Sequence, residues 1–180
     1  MQTVDVGRLT FVPVAEAVDL VGEPVKRYLQ ANGPNGLWVS EIDPNLADTA
    51  AFCEHYGVGL DISANCVVIE ARRGERQWYA ACVVLAITRA DVNAIVRKRL
   101  GARKVSFAPM DTAVSLTGME YGGITPIALP PEWPVLIDDN VIDQGRVIIG
   151  SGIRGSKLLA ACEVLQSLAN AEVLAITKPA

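Results

Sequence analysis

The chain has 180 residues, 51% of them hydrophobic and 20% charged, enough for one well-packed core and too few for two. Its net charge of -4 excludes a general nucleic-acid coat, which needs a broad basic surface to displace counterions from phosphates, but leaves room for a local basic patch. Apolar runs such as AACVVLAI at 80–87 fall short of the roughly 20 residues that span a bilayer, and the start MQTVDVGRLTF lacks the features of a secretion signal, so the expectation is a soluble cytoplasmic protein with no membrane or DNA partner.

In chain order, RLTFVPV reads as a short strand, EPVKRYLQANGPNG as a helix with Pro24 in its first turn and Gly33 at its end, and GLWVSEID as a second strand. In NLADTAAFCEHYGVG, Asp48 or Thr49 caps a helix that Gly57 stops. CVVIEARRGERQWYAACVVLAI is the clearest hairpin, two Val- and Ile-rich runs around RRGER, and its second run is apolar on both faces as a central strand is. TRADVNAIVRKRLG follows as a helix from Thr88 to Gly101, KVSFAP as a short strand, and MDTAVSLTG as a short helix capped by Asp111 or Thr112. WPVLIDDNVID and GRVIIGSG then read as a pair of strands, SKLLAACEVLQSLAN as an amphipathic helix from Ser156, and EVLAIT as a closing strand. Strands and helices alternate, yet hairpins are present too. The predicted fold is mixed α/β in one domain spanning 1–180, a curved mixed sheet or partial barrel with helices outside.

Candidate chemistry is sparse. Cys53, Cys66, Cys82 and Cys162 lie far apart in apolar segments and read as reduced core thiols. His55 is the single histidine and sits near a helix end, so neither a zinc site nor a nucleophile–histidine triad is predicted. A hydrolase built from this chain has to place a water and polarise a carbonyl with backbone amides. Two glycine-rich loops offer such amides: TGMEYGGITP at 117–126 and GSGIRGSK at 150–157, the second read as a strand-to-helix turn. Glycines at such spacings also supply the positive φ of tight turns. Neither loop is a Walker A sequence, and no acidic residue follows a second strand as a dinucleotide site requires, so no cofactor is expected. Arg97, Lys98, Arg99, Arg103 and Lys104 form a basic cluster, read either as a solvated helix end or as a phosphate-tracking patch. The prolines of LPPEWP at 129–134 read as a rigid connecting loop.

Taken together the two loops carry a resemblance. Gly118, Gly122, Gly123 and Pro126 fall in a G-x-x-x-G-G-x-x-P pattern, followed by a strand ending at Asp138 or Asp139 and by Gly150, Ser151 and Gly152. This order resembles the YbaK/prolyl-tRNA synthetase-associated editing domain family over roughly residues 45–177, with 1–44 as a strand-helix-strand extension. The resemblance implies a YbaK-like fold and hydrolysis, in trans, of the ester between a wrong amino acid and tRNA, including tRNA for proline. It implies catalytic roles for Asn65, Gly122 and Gly123, substrate contacts from Gly118, Tyr121, Pro126, Asp138, Ser151 and Gly152, and tRNA contacts from the basic cluster at 97–104. Met119, Tyr121, Ile153 and Val68 are expected to narrow the pocket to a small side chain such as Ala, Ser or Cys. One departure stands out: active members carry a lysine at the start of the first hairpin strand, and here SANCVVIEA puts Asn65 there, with no lysine between Lys26 and Lys98. An amide donates a hydrogen bond but brings no charge. The alternative is therefore a binding protein for aminoacyl-tRNA or a small amino-acid-like ligand.

Overall fold

The computed structural model describes residues 2–179. The chain opens with β1 (Val4–Val6) and β2 (Leu9–Pro13), runs through α1 (Glu23–Asn32) and returns as β3 (Leu37–Glu41). α2 (Thr49–Tyr56) leads into the long hairpin of β4 (Ala64–Arg73) and β5 (Arg76–Leu85); β6 (Thr88–Ala90), a π-helical turn (Val92–Val96) and α3 (Arg97–Arg99) precede β7 (Lys104–Phe107). Then come α4 (Met110–Thr117), β8 (Val135–Asp138), α5 (Asp139–Ile142), β9 (Arg146–Gly150), β10 (Ser156–Ala161), α6 (Cys162–Gln166), β11 (Ala171–Leu174) and β12 (Thr177–Pro179).

One five-stranded sheet has the order β1-β2-β3-β10-β9 and is antiparallel throughout. The other, β11-β8-β5-β4-β7, is mixed: β8 runs parallel to both β5 and β11, while β4 is antiparallel to β5 and β7. A parallel bridge between Ser63 and Ile148 links the sheets, so together they curl into a half-barrel. The strands of the N-terminal segment thus belong to the first sheet.

Side-chain alternation explains the layers. Val39, Leu158 and Ile149 from the first sheet and Val83 and Ile137 from the second point into one shared core. Their neighbours Trp38, Leu159 and Ile148 turn to the opposite face, where they pack with Phe52 of α2. Cys82 and Leu136 likewise turn outward to meet Val96 and Ile176. Strands covered on both faces are apolar at successive positions, and burying each Val, Leu or Ile contributes about 1.5–3 kcal/mol.

That same two-sided burial overturns one expectation. The helix predicted from Ser156 is a strand, β10, for its first six residues, all buried but the last, and becomes helical only at Cys162. A continuous apolar run carries no period to separate strand from helix. The single helix predicted over 88–101 is instead β6, the π-helical turn and the short α3; Asp91, not Thr88, caps the turn, its Oδ1 accepting from the Ala94 N–H at 3.2 Å. WPVLIDDNVID and GRVIIGSG do not pair: β8 lies between β5 and β11, β9 pairs with β10, and α5 intervenes. α4 follows Pro109 and has no side-chain cap from Asp111 or Thr112. The other predicted elements stand close to where the sequence puts them, including Pro24 in the first turn of α1 and Gly57, left-handed at φ 66°, closing α2.

Candidate active site

α4 ends at Gly118, in the left-handed region at φ 68°, and the chain turns back across the β9–β10 connection. The two glycine-rich loops are zipped together: the Glu120 N–H donates to Gly152 O at 3.0 Å and the Gly152 N–H to Gly123 O at 2.7 Å. Their approach leaves no room for side chains. A Cβ on Gly123 would lie 2.6 Å from the Ile153 carbonyl, and one on Gly150 would lie 2.6 Å from Gly123 O. Because β10 is a strand, the second loop is a strand-to-strand connection and gains no helix dipole.

Arg154 locks the pair to the segment before α2. Its backbone N–H donates to Glu120 Oε1 at 2.9 Å, its Nη1 to Tyr121 O at 3.1 Å and its Nε to Pro44 O at 3.0 Å, and Nη1 stands 3.6 Å from Asp48 Oδ1. Asp48 is largely solvent-exposed, so the ion pair itself contributes little and the carbonyl contacts do the positioning.

Between these loops, the start of α2 and β4 lies a cavity of about 240 Å³, lined by Ala47, Asp48, Thr49, Ala64, Asn65, Cys66, Tyr121, Gly122, Ile124, Gly150 and Lys157. It is smaller than the roughly 300–1,000 Å³ of sites for drug-sized ligands. The Thr49 hydroxyl donates to Asn65 Oδ1 at 2.6 Å, which turns the Asn65 Nδ2 donors away from α2. The Gly122 N–H has no partner among the described residues. Burial, reinforced by the neighbouring Cys82, pushes the Cys66 thiol well above its ordinary range, so it stays protonated at neutral pH.

Lys157 was not foreseen. It enters the cavity from β10, is 7% exposed, donates from Nζ to Ala47 O at 2.8 Å, and stands 5.2 Å from the centre of the Phe52 ring. Burial lowers its pKa to about 8; Arg154 pushes the same way, against the opposing influence of Cys53 and Asp48. Read as the first turn of a helix, Lys157 looks solvated. Read as the second residue of a buried strand, it is a cation inside the protein, and that reading was the signal available.

Asn65, Tyr121 and Gly122 therefore meet in the cavity. Gly123 lies one layer behind, its N–H given to Glu120 O at 2.9 Å. Ser151 is fully buried and Gly152 packs on Gly22, whose N–H donates to Ser151 O at 2.9 Å; neither lines the cavity. Gly118 serves as a helix end, and Pro126 borders a separate cleft with Tyr28 and Leu129. Asp138 is buried elsewhere: Oδ1 accepts from the Ile176 N–H at 2.9 Å, and Oδ2 from Thr177 Oγ1 at 3.0 Å and Asn140 Nδ2 at 2.9 Å, fastening β12 to β8. Of the residues expected to narrow the pocket Tyr121 lines the cavity and Ile153 does not, while Met119 and Val68 belong to the shared core.

In the basic cluster, Arg97 and Lys98 border a shallow groove with Arg73, Arg99 pairs with Glu172 at 2.8 Å, and Arg103 and Lys104 are exposed. A second groove shares Asn65 with the cavity and carries Arg89, Asn93, Lys178 and Phe107, a residue that is 65% exposed. His55 is exposed near the end of α2 and packs against Tyr56. Among the described residues no helix is long and apolar enough to cross a membrane.

The curled mixed sheet with a small cavity beside paired glycine loops defines a YbaK-like half-barrel. The family model for the aminoacyl-tRNA editing domain matches residues 43–168, and the chain belongs to that family. Among solved structures, one described as a candidate trans-editing enzyme for prolyl tRNA synthetase superposes with a TM-score of 0.73 at 18% identity, over 88% of this chain and 99% of that one. The hypothetical protein APE2540 superposes with a TM-score of 0.75 at 22% identity, over 87% of this chain and 100% of that one. A candidate signal transduction protein from Marinobacter aquaeolei VT8 gives 0.59 at 18% identity, over 87% of this chain and 31% of that longer one. Identities this low establish the fold alone. No curated protein matches the sequence.

Proposed function

We propose that the protein is an aminoacyl-tRNA deacylase that acts in trans, hydrolysing the ester between tRNA, tRNA for proline included, and a small amino acid such as Ala, Ser or Cys. Membership of the editing family supports an aminoacyl-tRNA substrate, and the size of the cavity, about 240 Å³, is the observation that supports a small side chain. Tyr121, Ile124 and Cys66 bound the space for that side chain, and one added methylene costs a tight pocket only about 1–3 kcal/mol of discrimination. With the Gly123 amide engaged by Glu120, the Gly122 N–H and Asn65 Nδ2 are among the donors available to the acyl carbonyl. No protein base is needed when water attacks beside the terminal ribose hydroxyl.

The experiment is deacylation of a panel of mischarged tRNAs by purified protein. Loss of Ala, Ser or Cys ester well above the buffer rate is the expected result; a panel that decays no faster than buffer, even at high protein concentration, removes the proposal. A second reading, a binding protein with little turnover, is favoured by Asn65, whose amide brings no charge to that wall of the cavity. If Asn65→Lys alone creates activity, the natural chain is the binder.

A further inference from the structure

Lys157 is the one lysine or arginine that is buried among the described residues. A cation taken out of water is costly unless a counter-ion and hydrogen bonds compensate it. Here no carboxylate lies within ion-pair distance among the described residues: Asp48, at the cavity rim, pairs with Arg154 instead. The partners of Nζ are the Ala47 carbonyl and the face of Phe52. An ammonium has three donors; one goes to Ala47, and the rest have no acceptor among the described residues although Lys157 lines the cavity. Holding the Ala47 carbonyl needs only a neutral donor, and the rest of β10, Ser156 followed by LLAA, shows that this strand otherwise takes small or apolar uncharged residues. The charge is therefore not accounted for by packing.

We propose that Lys157 is a catalytic residue of the cavity, its ammonium facing the ester carbonyl oxygen and stabilising the negative charge that gathers there when water adds. This rests on the deacylase reading and deepens it: the charge that Asn65 cannot bring from β4 is brought to the same cavity from β10. Water adds to the carbonyl carbon, the carbon–oxygen bond to the ribose breaks, and the water's proton ends on the departing ribose oxygen. Lys157 keeps its protons throughout and supplies only field. Asp48, Cys53 and Arg154 face it from the α2 segment and the second loop, and Cys66 of β4 lines the same cavity. The Asp48 carboxylate at the rim suits the substrate's α-ammonium, which the lysine repels.

The test is deacylation of the best substrate of the panel by wild type, Lys157→Met, Lys157→Gln, and Lys157→Met combined with Asn65→Lys. Loss of one oxyanion donor lowers kcat by roughly 100- to 1,000-fold, and that loss is expected for Lys157→Met and for Lys157→Gln with KM changed little. Lys157→Gln keeps a donor for Ala47, so its loss separates charge from scaffolding. Asn65→Lys is expected to return at least about tenfold of the rate to the Met background. In the wild type, the protein-dependent rate falls as pH rises through about 8, and this limb is missing from Lys157→Met, whereas any limb from the substrate amine stays in both. If wild type deacylates and Lys157→Gln runs within threefold of it with the same pH profile, the lysine is structural and the inference is overturned while the deacylase reading stands. If wild type deacylates nothing, both fall.

Discussion

Burial of the Lys157 ammonium lowers its pKa from 10.5 to about 8, and unfolding measurements can read the sign of that shift. Below about pH 8 the folded protein carries the buried charge and its full penalty. Between about 8 and 10.5 the unfolded chain binds more protons than the folded one, so this residue makes stability rise with pH. Cys66 and Cys82 act oppositely: burial raises their pKa values, so stability falls once the unfolded thiols ionise. Lys157→Met removes the first effect and keeps the second. In urea unfolding, the stability of wild type relative to Lys157→Met should therefore climb between pH 7.5 and 9.5, and a flat difference would mean that the lysine is not desolvated. At this scale the sequence was partly legible: the spaced glycines led to Tyr121 and Gly122, and comparison with the family lysine led to Asn65. It gave no hint that Asp138 serves the β12 junction, because a carboxylate that ends a strand beside a glycine loop looks the same whether it faces a ligand or backbone amides.

Elements were read well where each face of the chain had its own character. The hairpin of β4 and β5, in register from Ala64 opposite Leu85 to Arg73 opposite Arg76, was visible because its Val and Ile runs end at a polar turn. β10 was misread because both of its faces are covered, and the error hid Lys157. The glycine loops were recognised, but spacing alone did not show that three of their glycines, Gly123, Gly150 and Gly152, permit backbone-to-backbone contact. Gly123→Ala tests this. Its Cβ would sit 2.6 Å from the Ile153 backbone, which no side-chain rotation relieves, so the loops must part. The expected cost is about 1–3 kcal/mol of stability, the range for overpacking, together with weaker substrate binding as the Gly122 wall moves. Gly74→Ala is the comparison: its Cβ meets nothing within 4 Å, and only its positive φ of 61° opposes the change, at about 1 kcal/mol. Equal stability for Gly123→Ala and wild type, measured by chemical unfolding, would show that the loops are not as tightly joined as their hydrogen bonds indicate.

For the molecule as a whole, a net charge of -4 means that a polyanionic substrate must be held by a local surface. The sequence drew attention to 97–104 because five cations crowd there, but crowding in sequence does not fix which cations border the site. Arg99 is already engaged by Glu172, whereas Arg89 and Lys178, distant in sequence, are brought together by the pairing of β6 with β12. They share a groove with Asn65, so a strand leaving the cavity past Asn65 meets them first, with the exposed Phe107 ring beside them as a stacking surface for a base. Binding of a tRNA acceptor-stem hairpin, followed from about 50 to 200 mM salt, separates the two surfaces. Each lost phosphate contact lowers the salt slope by about 1. Arg89→Ala with Lys178→Ala should therefore weaken binding and flatten the slope by about 2, while Arg99→Ala should leave both unchanged. If the double variant keeps its slope and loss of Arg97 and Lys98 flattens it, the backbone runs over α3 and the groove beside Asn65 is not its path.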